Sequence, residues 1–191
     1  MHRALVKLLI TTMVFAVIPT VSVADDDIWQ QLATGGHIVL MRHALAPGIG
    51  DPPEFQRDDC ATQRNLSDQG RQDAIAMGDM FRQRKIPIDA VYSSHWCRCI
   101  DTGQLMSLGE VQTAPWLDSF FLQTERQARS TRTQQAMDFI QRWSGAGNLL
   151  LITHQVNITA LVNRTIGSGD MVVVRQAANG LQVIGVITAT R

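Results

Sequence analysis

Three short stretches carry residues suited to chemistry on an anion. HIVLMRHALAPG, His37 to Gly48, is an apolar run that leads directly into Arg42 and His43. VYSSHWCRC, Val91 to Cys99, passes through Ser93 and Ser94 to Arg98, and LLLITHQ, Leu149 to Gln155, ends in Thr153 and His154. Arginine forks match the nonbridging oxygens of a phosphoryl group, and a neutral histidine can attack phosphorus in line to give a phosphohistidine that water later hydrolyses. That route needs no metal and no cofactor. Two arginines and two histidines at the ends of three apolar runs therefore predict phosphoryl transfer, if the fold brings those ends together.

The apolar periodicity says how it does so. His37 to Met41, Ala90 to Tyr92 and Leu149 to Thr153 are short runs of strand length, and between them lie stripes of helical spacing. Asp27 to Ala33 reads as a short helix closed by Gly35 and Gly36. Ser67 is placed to cap a helix with Ala74, Met77, Gly78 and Phe81 on one face, ended by Pro87; Ser94 is placed to cap another, and Ala136, Phe139, Ile140 and Trp143 mark a further one. A helix begins near Gln155. Met171 to Arg175 and Leu181 to Ile187, around Asn179 and Gly180, read as a closing hairpin. Alternating strands and helices predict an α/β fold, a three-layer α/β/α sandwich around a mostly parallel sheet, whose ligand site lies at the carboxyl ends of the strands. The amino ends of the helices near Ser94 and Gln155 would add backbone donors there. Arg42 and His43 are adjacent, so both reach one crevice only if the chain leaves the sheet between them and Pro47.

Of 191 residues, 45% are hydrophobic and the formal charge is zero, which suits one globular domain. The basic residues are nearly all arginine and are scattered, so nucleic acid is not an expected partner. The amino terminus differs from the rest. His2, Arg3 and Lys7 precede the apolar segment Leu8 to Ile18, and Ser22-Val23-Ala24 offers small residues ahead of Asp25. This predicts a signal peptide over residues 1–24, cleaved near Ala24, and a single domain over 25–191 that is periplasmic or secreted. The apolar run is about half the roughly 20 residues of a membrane span, so no span is expected in the mature chain. Losing Arg3 and Lys7 would leave 15 basic against 17 acidic side chains, a formal charge of −2. Export also makes disulfides possible.

The segments LMRHALAPG, NLSDQGRQDA, VYSSHWCRCIDTG and LLITHQVNITAL resemble, in order and approximate spacing, the four signature segments of the histidine phosphatase superfamily, with its phosphoglycerate mutase-like fold. The resemblance runs from about Ile38 to Leu161 and is that of a small exported bacterial-type member. It implies a phosphoric monoester hydrolase with His43 as nucleophile, Arg42 and Arg98 as phosphate clamps and His154 as the second imidazole. Many relatives carry an asparagine soon after the first histidine; none occurs here before Asn65, and Arg64 is the expected stand-in for binding phosphate. One branch carries an aspartate directly after the second histidine, where this chain has Gln155. The other branch places a glutamate in the segment that reads WLDSFFLQTERQ here, so Asp118 and Glu125 are the candidate proton donors. Some members manage without an acid when the leaving group is already good, as with phosphohistidine or acyl phosphate. The stretches Ala44 to Gln63 and Gly109 to Ser130 are short for a specificity cap, which implies an open pocket. Such a pocket suits a phosphate at the end of a large or envelope-associated molecule as well as a small phosphomonoester.

Two other readings compete. The same cradle without turnover would make a non-catalytic phosphate or phospholigand-binding protein. Cys60, Cys97, Cys99 and His95 together could hold a metal, although sulfur sites of that kind are unusual in an oxidising compartment. A disulfide is the stronger expectation. Cys97 and Cys99 stand two apart in the first turn of a helix and point away from each other, so Cys60 must be the shared partner of one of them. The bond would tie the loop after the nucleophile to the helix that carries Arg98, and leave the other cysteine as a buried thiol.

Overall fold

The computed structural model describes residues 23–121 and 126–189. The expected signal peptide therefore lies almost wholly outside the described residues, as does Glu125. The first described helix, α1, spans Val23–Ala33. The elements that follow are β1 (Ile38–Arg42), α2 (Asp68–Gln83), β2 (Ile88–Ser93), α3 (Cys97–Met106), β3 (Val111–Thr113), α4 (Arg126–Arg142), β4 (Asn148–Thr153), α5 (Gln155–Val162), β5 (Met171–Ala177) and β6 (Gly180–Ile187), with short 3-10 turns at Cys60–Thr62 and Pro115–Leu117.

The strands form one six-stranded sheet in the order β3-β2-β4-β1-β5-β6. β1, β2, β3 and β4 run parallel, while β5 is antiparallel to β1 and β6 to β5. This is the mostly parallel α/β sheet that the periodicity predicts. The central strands read as unbroken apolar runs because both of their faces are covered. Val39, Met41, Leu150, Ile152 and Val173 pack with Leu32 of α1, Met77 and Phe81 of α2 and Cys99 and Met106 of α3. Ile38, Leu40, Leu149, Leu151 and Val172 pack on the other side with Ile140 of α4 and Ile158 of α5. The hairpin of β5 and β6 closes the chain as expected, with Ala177 opposite Gly180.

Ser67 caps α2, accepting from the Gly70 N–H at 3.0 Å. The i, i+3, i+4, i+7 stripe is buried, and Gly78 belongs to it for a reason other than hydrophobicity: a Cβ there would lie 2.1 Å from the Met106 carbonyl oxygen of α3. Three expectations need correction. α2 stops at Gln83 and turns at Lys85 with φ of 54°, so the helix has ended before Pro87 can end it. Ser94 does not cap α3, which starts at Cys97 with Trp96 in the cap position; the orphan N–H of Cys97 donates instead to Gln63 Oε1, 3.0 Å away and 34 residues earlier. Part of the stretch from Gly109 to Ser130 expected as a possible cap is edge strand, β3, paired with β2. Among the described residues, no helix is long and apolar enough to cross a membrane.

Candidate active site

β1, β2 and β4 end side by side, and β1 hands its last residues to neighbours on both sides. The Arg42 N–H donates to Asp170 O at 3.1 Å and the His43 N–H to Thr153 O at 3.0 Å. The chain then leaves the sheet, as two adjacent site residues require. Its exit is fixed by the Ala44 N–H donating to Thr102 Oγ1 of α3 and by the Ser67 N–H donating to Leu45 O. Gly70 lets α2 approach that turn closely, since a Cβ there would sit 2.1 Å from the Leu45 oxygen.

His43 is buried, with 2% of its surface exposed. Its Nδ1 lies 2.8 Å from Ala44 O. A carbonyl only accepts, so Nδ1 carries the proton and Nε2 keeps its lone pair. Burial, and then the positive charges of Arg98, Arg64 and Arg42, lower the imidazole pKa to about 3 against the partial support of the Ala44 bond. The His154 ring stands 5.5 Å from that of His43, centroid to centroid, at 67°. Burial, followed by His43 and the same arginines, holds His154 well below the ordinary histidine range.

Behind His154 runs a buried polar chain. His154 Nε2 is 2.9 Å from Ser94 Oγ, whose hydroxyl also lies 3.3 Å from Asp118 Oδ1. Asp118 accepts from the His95 N–H at 2.9 Å and pairs with the His95 ring at 3.0 Å. Asn157 Nδ2 donates to the Asp118 carbonyl at 3.1 Å. Asp118 is thus buried behind the histidines and does not line the pocket.

Arg42, Arg64 and Arg98 line one pocket with His43 and His154, a cavity of about 630 Å³. Arg42 Nη1 donates to Ile166 O at 3.0 Å. Arg64 donates from Nε to Gly50 O at 2.7 Å and from Nη1 to Ala46 O, which ties it to the loop after His43. Arg98 is gripped by Asp51, with Nη1 to Oδ1 at 2.6 Å and Nη2 to Oδ2 at 3.2 Å. The desolvation of Asp51 would raise its pKa, but the bonds from Arg98 and Trp96 outweigh it and leave the carboxyl below its usual range. Asp51 is absent from the sequence-level set because only a chain contact brings it to Arg98. Its neighbours, Gly50 and Pro52, signal a turn and no more. The rest of the lining is mostly apolar, with Ile49, Pro52, Phe55, Trp96, Phe121 and Val156 beside the polar Ser119 and Gln155. Phe55 stacks on Trp96 at 5.2 Å, and Ile49 and Phe121 stand well exposed.

The disulfide joins Cys60 to Cys97, choosing between the two partners that the sequence leaves open, and Cys99 is the buried free thiol. Burial pushes the Cys99 thiol up to about 12. With Cys60 and Cys97 bonded to each other, the metal reading that grouped them with Cys99 and His95 is overturned. Among the described residues no group of three or more His, Cys, Asp or Glu is placed to hold a metal ion.

The strand order, the antiparallel hairpin at one side and the Arg-His pair at the central strand end define a phosphoglycerate mutase-like α/β fold. Residues 38–121, somewhat under half of the chain, match the family model of the histidine phosphatase superfamily, branch 1, in line with the resemblance of the signature segments. No curated protein sequence matches the chain. Among solved structures it is similar to the protein histidine phosphatase SixA complexed with tungstate, at 14% identity, TM-score 0.55, covering 80% of this chain and 96% of that one. It is also similar to a phosphoserine phosphatase from Entamoeba histolytica in complex with 3-phosphoglyceric acid, at 14% identity, TM-score 0.59, covering 81% and 98%. A mycobacterial glucosyl-3-phosphoglycerate phosphatase gives 16% identity and TM-score 0.57, covering 81% and 99%. At these identities the likeness is one of fold.

Proposed function

We propose that this protein is a metal-independent phosphatase that hydrolyses a phosphomonoester through a phosphohistidine on His43. The observation that carries this reading is the Nδ1 bond of His43 to Ala44 O, which leaves Nε2 unprotonated among three arginines. Nε2 attacks phosphorus as the bond to the leaving oxygen breaks; water then attacks the phosphohistidine, the P–N bond breaks, and phosphate departs with the imidazole restored. Arg42, Arg64 and Arg98 balance the charge on the transferring group. His154 stands beside it. Ser94 has one hydroxyl proton for two acceptors; when it is directed to His154 Nε2, the ring proton sits on Nδ1, the arrangement that a bound oxyanion favours.

Asp118, gripped by Ser94 and His95, orients His154 in this reading and does not protonate the leaving group. Glu125 keeps its place as a candidate donor on sequence grounds alone. A leaving group that departs without an acid, as from an aryl ester, an acyl phosphate or a phosphohistidine, suits the described site best, and the apolar rim faces whatever carries the phosphate. Substrates at the end of a large or envelope-associated molecule fit an open rim of this kind, and export through the amino-terminal segment belongs to the same proposal.

The test is hydrolysis of 4-nitrophenyl phosphate in the presence of EDTA by the parent and by His43→Ala. Turnover by the parent is expected to survive the chelator, and the variant to lose at least about a thousandfold. Acid-quenched parent should carry base-stable, acid-labile phosphate on His43. Activity of the variant within tenfold of the parent would refute the mechanism. The occupied fork of Arg98 and the inward-held Asp118 favour one second reading, a phospholigand-binding protein, which would bind tungstate and turn nothing over.

A further inference from the structure

We infer that Asp51 is a positioning residue for phosphate binding: it holds one edge of the Arg98 guanidinium so that the other edge is presented to the phosphoryl group. The inference rests on the proposed phosphate site and deepens it.

An arginine has five N–H groups in a planar fork. Asp51 takes the edge formed by Nη1 and Nη2, at 2.6 and 3.2 Å, and the Arg64 carbonyl takes a further Nη1 hydrogen at 3.1 Å. What is left is Nε–H and the outer Nη2–H, which lie side by side on a second edge of the plane. Nε is buried and has no hydrogen-bond partner among the described residues. Two parallel N–H groups on one edge are what a pair of phosphate oxygens takes in a bidentate contact. Leaving a buried charged donor unmatched is costly, so a ligand that supplies the missing acceptor gains from the arrangement.

Asp51 could instead be a stand-in that phosphate displaces from Arg98. The surroundings argue against displacement. Trp96 Nε1 donates to Oδ2 at 2.9 Å and the Arg64 N–H to Oδ1 at 3.2 Å, so removal of the carboxylate would orphan two donors besides Arg98. The Asp51 side chain is 10% exposed and that of Arg98 3%. The loop that carries Asp51 is tied at Ala46 and Gly50 by Arg64, and beyond it by the bond of Cys60 to Cys97 in the helix that carries Arg98. Carboxylate and guanidinium are built as one unit.

The two roles predict opposite signs. Tungstate affinity by calorimetry, and kcat and KM for 4-nitrophenyl phosphate, are measured on the parent, Asp51→Asn, Arg98→Lys and the double variant, with folding checked by circular dichroism. Asp51→Asn is expected to weaken tungstate roughly tenfold or more and to lower kcat, since the amide puts a donor against a donor. In the Arg98→Lys background the same change should add less than about twofold, because its effect passes through the fork. Should Asp51→Asn fail to fold, Asp51→Glu keeps the charge but displaces it, and is expected to weaken tungstate in the same way. Tighter binding by either Asp51 variant would make the carboxylate a stand-in and overturn the inference, as would losses that simply add in the double variant. A parent that binds no oxyanion refutes the phosphate reading and this inference with it. A parent that binds, with an Asp51 variant that binds equally, refutes the inference alone.

Discussion

An imidazole attacks phosphorus only while it is unprotonated, and the surroundings of His43 keep it so across the neutral range. The cost falls on orientation, because a neutral ring has two nitrogens and only one is useful. The Ala44 carbonyl decides which. At His154 the same task falls to Ser94 and Asp118, and this separates two roles for that carboxylate by experiment. Asp118→Asn weakens the pairing with His95 and disturbs the Ser94 bridge, so a positioning role predicts losses on the order of tenfold on aryl and alkyl phosphates alike. A proton donor predicts that the alkyl ester suffers and the activated aryl ester is spared. Parallel rates on the two esters, measured side by side, are the expected outcome.

At the scale of elements, the site is held by how β1, α2 and α3 meet. Thr102 and Gly70 bring α3 and α2 against the turn that follows His43, and the Cys60–Cys97 bond fastens the intervening loop to the first turn of α3. Closing a loop across a sequence separation of 37 stabilises by about 3–4 kcal/mol on a chain-entropy account. Cys97→Ser is therefore expected to lower the melting temperature by roughly 10 °C and to loosen the loop that carries Asp51 and Arg64. Thermal melts of the parent with and without reductant, beside the variant, check this: a reductant that shifts neither melting nor turnover of the parent would mean that the bond braces nothing. Reaction of Cys99 with thiol reagents in the folded protein should be slow, since burial disfavours its thiolate.

For the molecule as a whole, two buried neutral imidazoles link stability to pH. In the unfolded chain each takes a proton near pH 6.5, while in the folded protein His43 resists protonation down to about pH 3 and His154 is shifted the same way. The unfolded state thus binds more protons as pH falls below about 6.5, so stability declines from there toward acid pH, by up to about 1.4 kcal/mol per pH unit for each ring. Asp51 adds its own loss lower down, as its carboxylate is protonated below the ordinary range. Denaturant titrations between pH 7 and 4 should show the decline, and His43→Ala should show about half of it; a flat profile would mean that the imidazoles are not buried neutral. Much of this protein was legible in its sequence. The strands other than β3, the helix capped by Ser67, the closing hairpin and the Arg42, His43, Arg98 and His154 set are written in local periodicity and in polar residues that end apolar runs. Backbone geometry imposes those patterns within a few residues of each position, so they can be read without a fold. Other features depend on segments distant in sequence. The bond of Asp51 to Arg98 spans 47 positions and that of Gln63 to the first N–H of α3 spans 34. The choice of Cys97 over Cys99 turned on the rotation of α3 about its axis, which buries Cys99 among the residues beneath the sheet and points Cys97 at the loop. Only tertiary packing decided these, because helix rotation and loop path answer to the whole core and no local pattern records them.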